Sequence, residues 1–135
     1  MFASATWKKE QQYDALSESG HHTVLDAEAA HAAGPSPMEL ILMGLCACTS
    51  VDVVSILNKK REPFTALTVS ATAEQAQEAP RVFTRIQLNY RVSGKISAKA
   101  MEDAVSLSKN KYCSVSKMLE KAAPIEFTIE YADPS

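Results

Sequence analysis

The first third of the chain alternates loosely between apolar and polar residues in three short segments. Residues that favour turns interrupt the alternation near positions 8–11 and at Ser19-Gly20. A period of two residues indicates strands, and breaks this short favour antiparallel pairing of neighbours. The pattern predicts three short antiparallel strands, within residues 2–7, 12–16 and 22–25.

A long apolar helix is predicted next. Ser36 and Glu39 have the spacing of a capping box, in which the serine caps the helix and the glutamate reaches back to the serine amide. From Met38 to Leu57, apolar residues occupy almost every face, which is typical of a helix at the centre of a fold. Basic residues at 59–61 and then Pro63 mark its end.

The second half of the chain contains segments with the two-residue period of strands and segments with the helical spacing of apolar residues. A polar link joins two alternating segments, which predicts a hairpin, and helical spacing and a last alternating segment follow. The predicted elements are strands at 64–73 and 82–92, helices at 97–110 and 113–123, and a strand at 125–131. Strands, a buried helix, strands, helices and a strand in this order predict an α+β fold. The 135 residues suit one domain, residues 1–135.

Composition narrows the classes of partner. The chain is 46% apolar and 22% charged, as in ordinary soluble proteins, and its net charge of −2 makes nucleic acid an unsuitable partner. The N-terminus has no basic stretch followed by an apolar core, and no uninterrupted apolar run reaches the roughly 18 residues typical of a membrane span. We therefore expect no membrane association and a cytoplasmic location.

Three cysteines are too few, and too odd in number, for a secreted disulfide framework. Cys46 and Cys48 lie about 200° apart around a helix, so they cannot both face one site. These two cysteines are therefore a poor metal clamp. The histidines lack ligand spacing to the cysteines, so no metal is predicted; they are His21, His22 and His31.

The residues alone leave two interpretations of the remaining thiols open. Cys48 has Gly44 one turn before it, which leaves space beside the sulfur, and Asp52 one turn after it, whose charge opposes a thiolate. Cys113 opens a predicted helix, where the positive field and nearby lysines favour a thiolate. The lysines are Lys109, Lys111 and Lys117. The two thiols are either a redox pair or small core residues.

Two segments resemble the OsmC/Ohr family of thiol-dependent hydroperoxide reductases. One is Gly-Pro-Ser-Pro-Met-Glu-Leu at 34–40 running into Cys48, and the other is Lys-Tyr-Cys-Ser-Val-Ser-Lys-Met-Leu at 111–119. The resemblance extends over most of the chain in element order. It implies an intertwined homodimer with antiparallel sheets wrapped around long central helices and an active site at the subunit interface.

The resemblance also implies a reaction used in defence against oxidative stress. Cys48 would be the peroxidatic thiol, which attacks an organic hydroperoxide, releases the alcohol and becomes a sulfenic acid. Cys113 would be the resolving thiol, which condenses with that acid to form a disulfide. Cys46 has no counterpart in the family pattern, so the resemblance implies a packing role for it. A dithiol reductant of the lipoyl type would then reduce the disulfide by exchange. No cofactor, flavin, haem or metal is expected.

The chain departs from the family pattern around the attacking thiol. Family peroxidases hold the thiolate with an N-terminal arginine, which a glutamate after the helix-start proline fixes in place. This chain has no arginine before Arg61, and its early cations are Lys8 and Lys9. Glu39 lies one position later than the glutamate of the family pattern. It is a candidate catalytic residue, although its role in the capping box already explains its presence.

Two questions follow from that departure. A cation from the predicted hairpin could take the place of the missing N-terminal arginine, and the candidates are Arg81, Arg85 and Arg91. These three arginines could instead lie on a solvated strand face. Alternatively, the protein is a catalytically weak member that binds a small apolar ligand or senses redox state at the dimer interface.

Overall fold

The computed structural model describes residues 1–132. The chain divides into two compact units, one up to Leu42 and the other from Met43 onward, and each is described by itself. Helix α1, Pro37–Lys59, begins in the first unit and continues into the second. The prediction of one domain over residues 1–135 stays a prediction, and its last three residues lie outside the described part.

The first unit contains a three-stranded antiparallel sheet in the order β1-β2-β3. Its strands confirm the three predicted from alternation, and they are β1 (Ala3–Lys9), β2 (Gln12–Ser17) and β3 (His22–Asp26). The β1–β2 register shifts between Trp7 and Lys9, next to the turn that joins these strands. Within residues 1–42 only Asp26 is buried, so neither face of this sheet is covered by its own unit.

The loop from β3 to α1 is held by hydrogen bonds that set where the helix begins. The Asp26 carboxylate accepts from the amides of Glu28, at 2.9 Å, and Ala33, at 3.0 Å. The capping box is confirmed: the Ser36 amide donates to Glu39 Oε1 at 2.9 Å, and the Glu39 amide donates to Ser36 Oγ at 3.1 Å. The helix therefore starts at the predicted residue.

Helix α1 buries one stripe and exposes the rest. Its buried residues recur every fourth position, namely Leu45, Thr49, Val53 and Leu57. Met43 is 55% exposed and Val51 is 67% exposed, so one chain covers only part of this central helix. Within residues 1–132, Ile41, Met43 and Val51 on the other faces are exposed.

The same helix has no uninterrupted apolar run of membrane length, but its average hydropathy is high. An 18-residue window of α1 has a mean hydropathy of 2.2, and 22% of that window is buried. By length and composition alone the helix is apolar enough to cross a membrane. The sequence prediction was based on uninterrupted apolar runs. Most of the residues that interrupt the run in α1 are small and weakly polar, so they barely lower its mean hydropathy.

The second unit has a mixed sheet in the order β4-β5-β6. The hairpin of β4 and β5 is antiparallel, as expected, but β5 and β6 are parallel, so the expectation of wholly antiparallel sheets is wrong here. Parallel neighbours need a long crossover, and the helical segments between β5 and β6 supply it. The strands are β4 (Phe64–Gln75), β5 (Phe83–Gly94) and β6 (Ile125–Ala132).

The crossover consists of two helices joined by a wider turn. Helix α2 is capped as predicted, because the Ala100 amide donates to Ser97 Oγ at 2.9 Å. The predicted helix to residue 110 ends earlier and continues as one π-helical turn, in which hydrogen bonds join residues five apart. The segments are α2 (Ala98–Leu107), the π-turn (Ser108–Tyr112) and α3 (Ser114–Leu119).

The core of the second unit draws on β5, α2 and the buried stripe of α1. On β5 every second residue is buried, as the two-residue period predicts. The fully buried large side chains include Ile86, Leu88, Tyr90 and Val92 of β5, with Met101 and Val105 of α2. The intervening residues of β5 face outward, where Arg85 pairs with Glu126 at 3.4 Å and Arg91 pairs with Glu130 at 3.1 Å.

Candidate active site

Two cysteine thiols meet inside the second unit. Cys48 lies on α1, one turn beyond the start of the buried stripe, and Cys113 lies between the π-turn and α3. The fold brings their side chains close enough for the Cys48 thiol to raise the pKa of Cys113. Cys48 is partly exposed, whereas Cys113 is fully buried. One thiol is therefore open to a small molecule and the other is shielded.

Burial decides the ionisation of Cys113. Its pKa rises from 9.0 to about 11, first because the thiol is desolvated and then because of Cys48 and the charge of Asp52. The Ser116 amide donates to Cys113 Sγ at 3.3 Å and opposes the rise. The prediction that a helix start favours a Cys113 thiolate is therefore wrong, because one amide donor does not replace the water that the sulfur loses.

The lysines near Cys113 in sequence do not offset the rise in its pKa. Lys109 lies over the ring of Phe127, with 5.7 Å between its ammonium and the ring centroid. Lys111 lies over the neighbouring ring of Tyr112 at 5.3 Å, and Lys117 pairs with Glu120 at 3.1 Å. Their charges are directed to other partners, which is why sequence proximity was misleading.

A buried chain of hydroxyl groups runs beside the thiols. Thr49 Oγ1 lies 2.6 Å from the Tyr90 hydroxyl and 2.8 Å from Ser108 Oγ. Ser108 Oγ donates to Asp52 Oδ2 at 2.8 Å. Thr49, Tyr90 and Ser108 are each at most 1% exposed. The chain links α1, β5 and the π-turn at the level of the cysteines.

Sequence reasoning missed most of this hydroxyl chain. It considered Asp52 only as a charge near Cys48, although Asp52 is the only charged residue between positions 40 and 58 of an otherwise apolar helix. A lone carboxylate in such a helix needs a donor, and that was the available signal. Ser108 and Tyr90 gave no comparable signal, since their neighbours come together only in the folded chain.

Burial also raises the pKa values of two neighbouring groups. The pKa of Tyr90 rises to about 12, mainly by burial, with smaller contributions from the charges of Cys113, Cys46 and Asp52; the hydrogen bond shared with Thr49 opposes the rise. Burial raises the pKa of Cys46 as well. Near neutral pH, Tyr90 is therefore a neutral hydroxyl that can both donate and accept.

The structure places Glu39 at the start of α1, in the first unit. Its hydrogen bond from the Ser36 amide lowers the pKa of its carboxyl, with His31 adding a smaller charge effect. His31 Nε2 lies 3.8 Å from Glu39 Oε1. These contacts account for Glu39 as a capping residue, and its catalytic role stays a prediction.

The hairpin arginines have other partners. Arg85 and Arg91 pair with glutamates of β6, and Arg81 Nε donates to the Ala76 carbonyl at 3.1 Å. Through residue 132, no arginine donates a hydrogen bond to Cys48. These positions agree with the solvated-face interpretation. Over the same residues, no three histidine, cysteine or acidic side chains are grouped to hold a metal ion.

Open space adjoins the site on two sides. An added Cβ at Gly44 would meet nothing within 4 Å, in agreement with the space expected beside Cys48. A cleft of about 390 Å³ adjoins Asp52 on the other side. It is lined by Ser55, Ile56, Lys59, Lys60, Leu107 and Tyr112, and most of its lining surface is apolar.

The structure is a mixed α+β fold with one partly exposed and one buried thiol side by side. The chain belongs to the OsmC-like protein family, whose sequence profile matches residues 30–128. This confirms the family inferred from the two cysteine segments.

Individual relatives agree with this assignment. Protein YhfA of Escherichia coli K12 is 42% identical over 131 residues, covering 96% of this chain and 97% of YhfA. An OsmC-like protein from Mycoplasma pneumoniae has a TM-score of 0.86 at 17% identity, covering 97% of this chain and 96% of that one. An organic hydroperoxide resistance protein from Elizabethkingia anophelis has a TM-score of 0.73 at 15% identity, covering 96% and 94%. At such identities these two structures show the fold alone.

Proposed function

We propose that the protein reduces organic hydroperoxides to alcohols, with Cys48 as the attacking thiol and Cys113 as the resolving thiol. The observation that carries the proposal is the pairing of a partly exposed Cys48 with a fully buried Cys113. The Cys48 thiolate attacks the terminal peroxide oxygen, the O–O bond breaks, and the alkoxide takes up a proton to leave as alcohol. Cys48 is then a sulfenic acid.

The second step closes the disulfide. The Cys113 sulfur attacks the Cys48 sulfur, the S–OH bond breaks, and the Cys113 proton leaves with the hydroxyl as water. Because Cys113 is protonated and shielded in the reduced protein, it does not compete with Cys48 for peroxide. A dithiol of the lipoyl type restores both thiols by exchange, and the dithiol is oxidised to its own disulfide.

The test uses single cysteine variants and an organic hydroperoxide such as cumene hydroperoxide. Cys48→Ser should abolish peroxide consumption, because it removes the attacking sulfur. Cys113→Ser should allow one turnover and leave a sulfenic acid that a dimedone probe traps, but it should not be recycled through an intramolecular disulfide. Cys46→Ser is the matched control and should turn over normally. Undiminished turnover by Cys48→Ser would refute the proposal.

Glu39 offers a separate test of how the attacking thiol is activated. Glutamine also satisfies a capping box, so Glu39→Gln removes the charge and keeps the cap. If Glu39 supports catalysis, peroxide consumption by Glu39→Gln should fall while its unfolding midpoint stays the same. Equal rates for the variant and the natural protein would restrict Glu39 to capping.

We also propose that the protein is a homodimer. Two surfaces lack cover within one chain: the first sheet, whose unit has no buried apolar side chain among residues 1–42, and the apolar side of α1 that carries Met43 and Val51. Apolar surface of this extent is typical of an interface. A second copy of the chain, as the family resemblance implies, would cover α1 and explain its apolar character without a membrane.

The dimer is tested with two valines that differ in location. Val51 on α1 is 67% exposed and Val82, before β5, is 49% exposed. Val51→Glu should shift the mass measured by light scattering from dimer to monomer, whereas Val82→Glu should not. A monomeric natural protein would contradict the proposal, and a requirement for detergent would contradict both the dimer and the proposed cytoplasmic location.

A second candidate function is favoured by one observation. The cleft beside Asp52 is largely apolar, and no arginine in the described chain donates to Cys48. These features suit a catalytically weak protein that binds a small apolar ligand or senses redox state. Retention of an apolar fluorescent probe without peroxide, together with no Cys48–Cys113 disulfide after oxidant, would favour this function over peroxidase activity.

A further inference from the structure

The π-turn connects the resolving thiol to a single serine. Its wider ring places the Cys113 amide opposite the carbonyl of Ser108, to which it donates at 2.8 Å. Single π-helical turns are frequent at functional sites, since the extra residue redirects the side chains that follow. The position of Cys113 is therefore tied to the position of Ser108.

The side chain of Ser108 ties the same turn to helix α1. A carboxylate only accepts hydrogen bonds, so the single proton of Ser108 Oγ goes to Asp52 Oδ2, 2.8 Å away. Ser108 Oγ must then accept from Thr49 Oγ1, at 2.8 Å, and Thr49 in turn accepts from the Tyr90 hydroxyl at 2.6 Å. Ser108 Oγ also lies 3.4 Å from the Thr49 carbonyl, a longer contact than the one to Asp52, so the main direction of donation runs from Tyr90 through Thr49 and Ser108 to Asp52.

The residues that hold Ser108 flank the attacking thiol in sequence. Thr49 follows Cys48 directly, and Asp52 lies one helical turn beyond it. The route from one sulfur to the other is therefore short: along one turn of α1, across two hydrogen bonds to Ser108, and through one backbone hydrogen bond to Cys113. All three hydroxyls are buried, where such hydrogen bonds are strongest and least exchanged with water.

We infer that Ser108 is a positioning residue, which, through its hydrogen bonds to Thr49 and Asp52, holds the Cys113 segment against the turn of α1 that carries Cys48. This inference rests on the proposed function, because it concerns the disulfide between these two thiols. Holding two thiols in place raises their effective concentration toward each other. A higher effective concentration makes the disulfide harder to reduce, and thus lowers its reduction potential.

The experiment compares two buried serines that flank Cys113. Ser108 and Ser116 are 0% and 1% exposed, but within residues 1–132 the Ser116 hydroxyl has no hydrogen-bond partner, whereas Ser108 belongs to the hydroxyl chain. Each is replaced by alanine in a Cys46→Ser background, so that only one disulfide can form. The proteins are equilibrated near neutral pH in dithiothreitol buffers of graded redox state, where exchange forms or reduces the disulfide.

We expect Ser108→Ala to reduce the effective concentration about tenfold, which raises the reduction potential by about 30 mV for a two-electron couple. Ser116→Ala should leave the potential unchanged, and Ser108→Thr should return it toward the natural value. Ser116→Ala should also leave the rate at which Cys48 consumes peroxide unchanged. If Ser108→Ala and Ser116→Ala have the same potential as the parent, the inference is wrong.

Two further outcomes keep the test decisive. If Ser108→Ala does not fold, Asp52→Asn replaces it, since the amide oxygen still accepts from Ser108 but more weakly. A smaller rise in potential is then expected, and no rise overturns the inference. If the parent forms no Cys48–Cys113 disulfide at all, the proposed function fails instead, so the two failures are distinguishable.

Discussion

Raising the pH should destabilise the reduced protein through the buried thiol of Cys113. The folded state holds the pKa of this thiol at about 11, against an ordinary value of 9.0. Above about pH 9 the unfolded chain releases this proton, whereas the folded chain keeps it until about pH 11. The unfolded state then binds fewer protons, so the free energy of unfolding falls across that window.

The size of the effect follows from the two pKa values. A rise from 9.0 to about 11 corresponds to about 2.7 kcal/mol when the window has been crossed. At about pH 10 roughly half of it, about 1.4 kcal/mol, should already be lost. Cys113 is 0% exposed, so solvent screening does not reduce this figure greatly. For a chain of 135 residues the loss is a substantial fraction of total stability.

Urea unfolding in the presence of a phosphine reductant measures the loss at about pH 8 and about pH 10. The control is Cys113→Ser, because a serine at this position can still accept from the Ser116 amide but does not titrate in the window. Cys46 contributes equally to both proteins, and so does most of the Tyr90 shift, which is due mainly to burial, so these contributions largely cancel in the difference. We expect the natural protein to lose about 1.4 kcal/mol more than the variant. Equal losses would show that burial does not hold Cys113 protonated.

Three further substitutions test the local structure. Ser36→Ala should lower the free energy of unfolding by about 1 kcal/mol in urea, since it removes the acceptor at the start of α1, and an unchanged value would contradict the capping box. Gly44→Ala should raise the thermal midpoint, because alanine favours a helix interior by about 1 kcal/mol and the added Cβ meets no atom within 4 Å; a lower midpoint would show that the space is occupied in solution. Tyr90→Phe should cost about 1–2 kcal/mol by removing the donor to Thr49, and should remove the phenol that titrates at about pH 12 in an absorbance titration, whereas a Tyr90 that titrates near 10 would contradict its burial.

Much of the fold could be predicted because its signals are local. The capping box at Ser36 and the serine cap at Ser97 depend on residues three apart, and both helices begin where that spacing places them. The alternation of β5 likewise follows from the two faces of one strand. The direction of β6 could not be predicted, because a strand's own pattern is the same whether its neighbour runs parallel or antiparallel.

The candidate site was only half predictable. The two cysteine segments indicated the family and the pair Cys48 and Cys113, and the fold places these thiols together. The ionisation of Cys113 was predicted with the wrong sign, because sequence shows which charges are near in the chain and not how much water reaches the sulfur. The lysines that suggested a thiolate contact Phe127, Tyr112 and Glu120 instead.

The sequence by itself determined the order of the elements, where most of them begin, and which side chains are candidates for the chemistry. Those properties depend on neighbours within about one helical turn or two strand positions, so the order of residues is enough to specify them. Only the tertiary structure decided that Thr49, Tyr90, Ser108 and Asp52 form one buried chain beside the thiols. Burial and hydrogen bonding depend on groups 41 to 59 positions apart, and these meet only after the chain has folded.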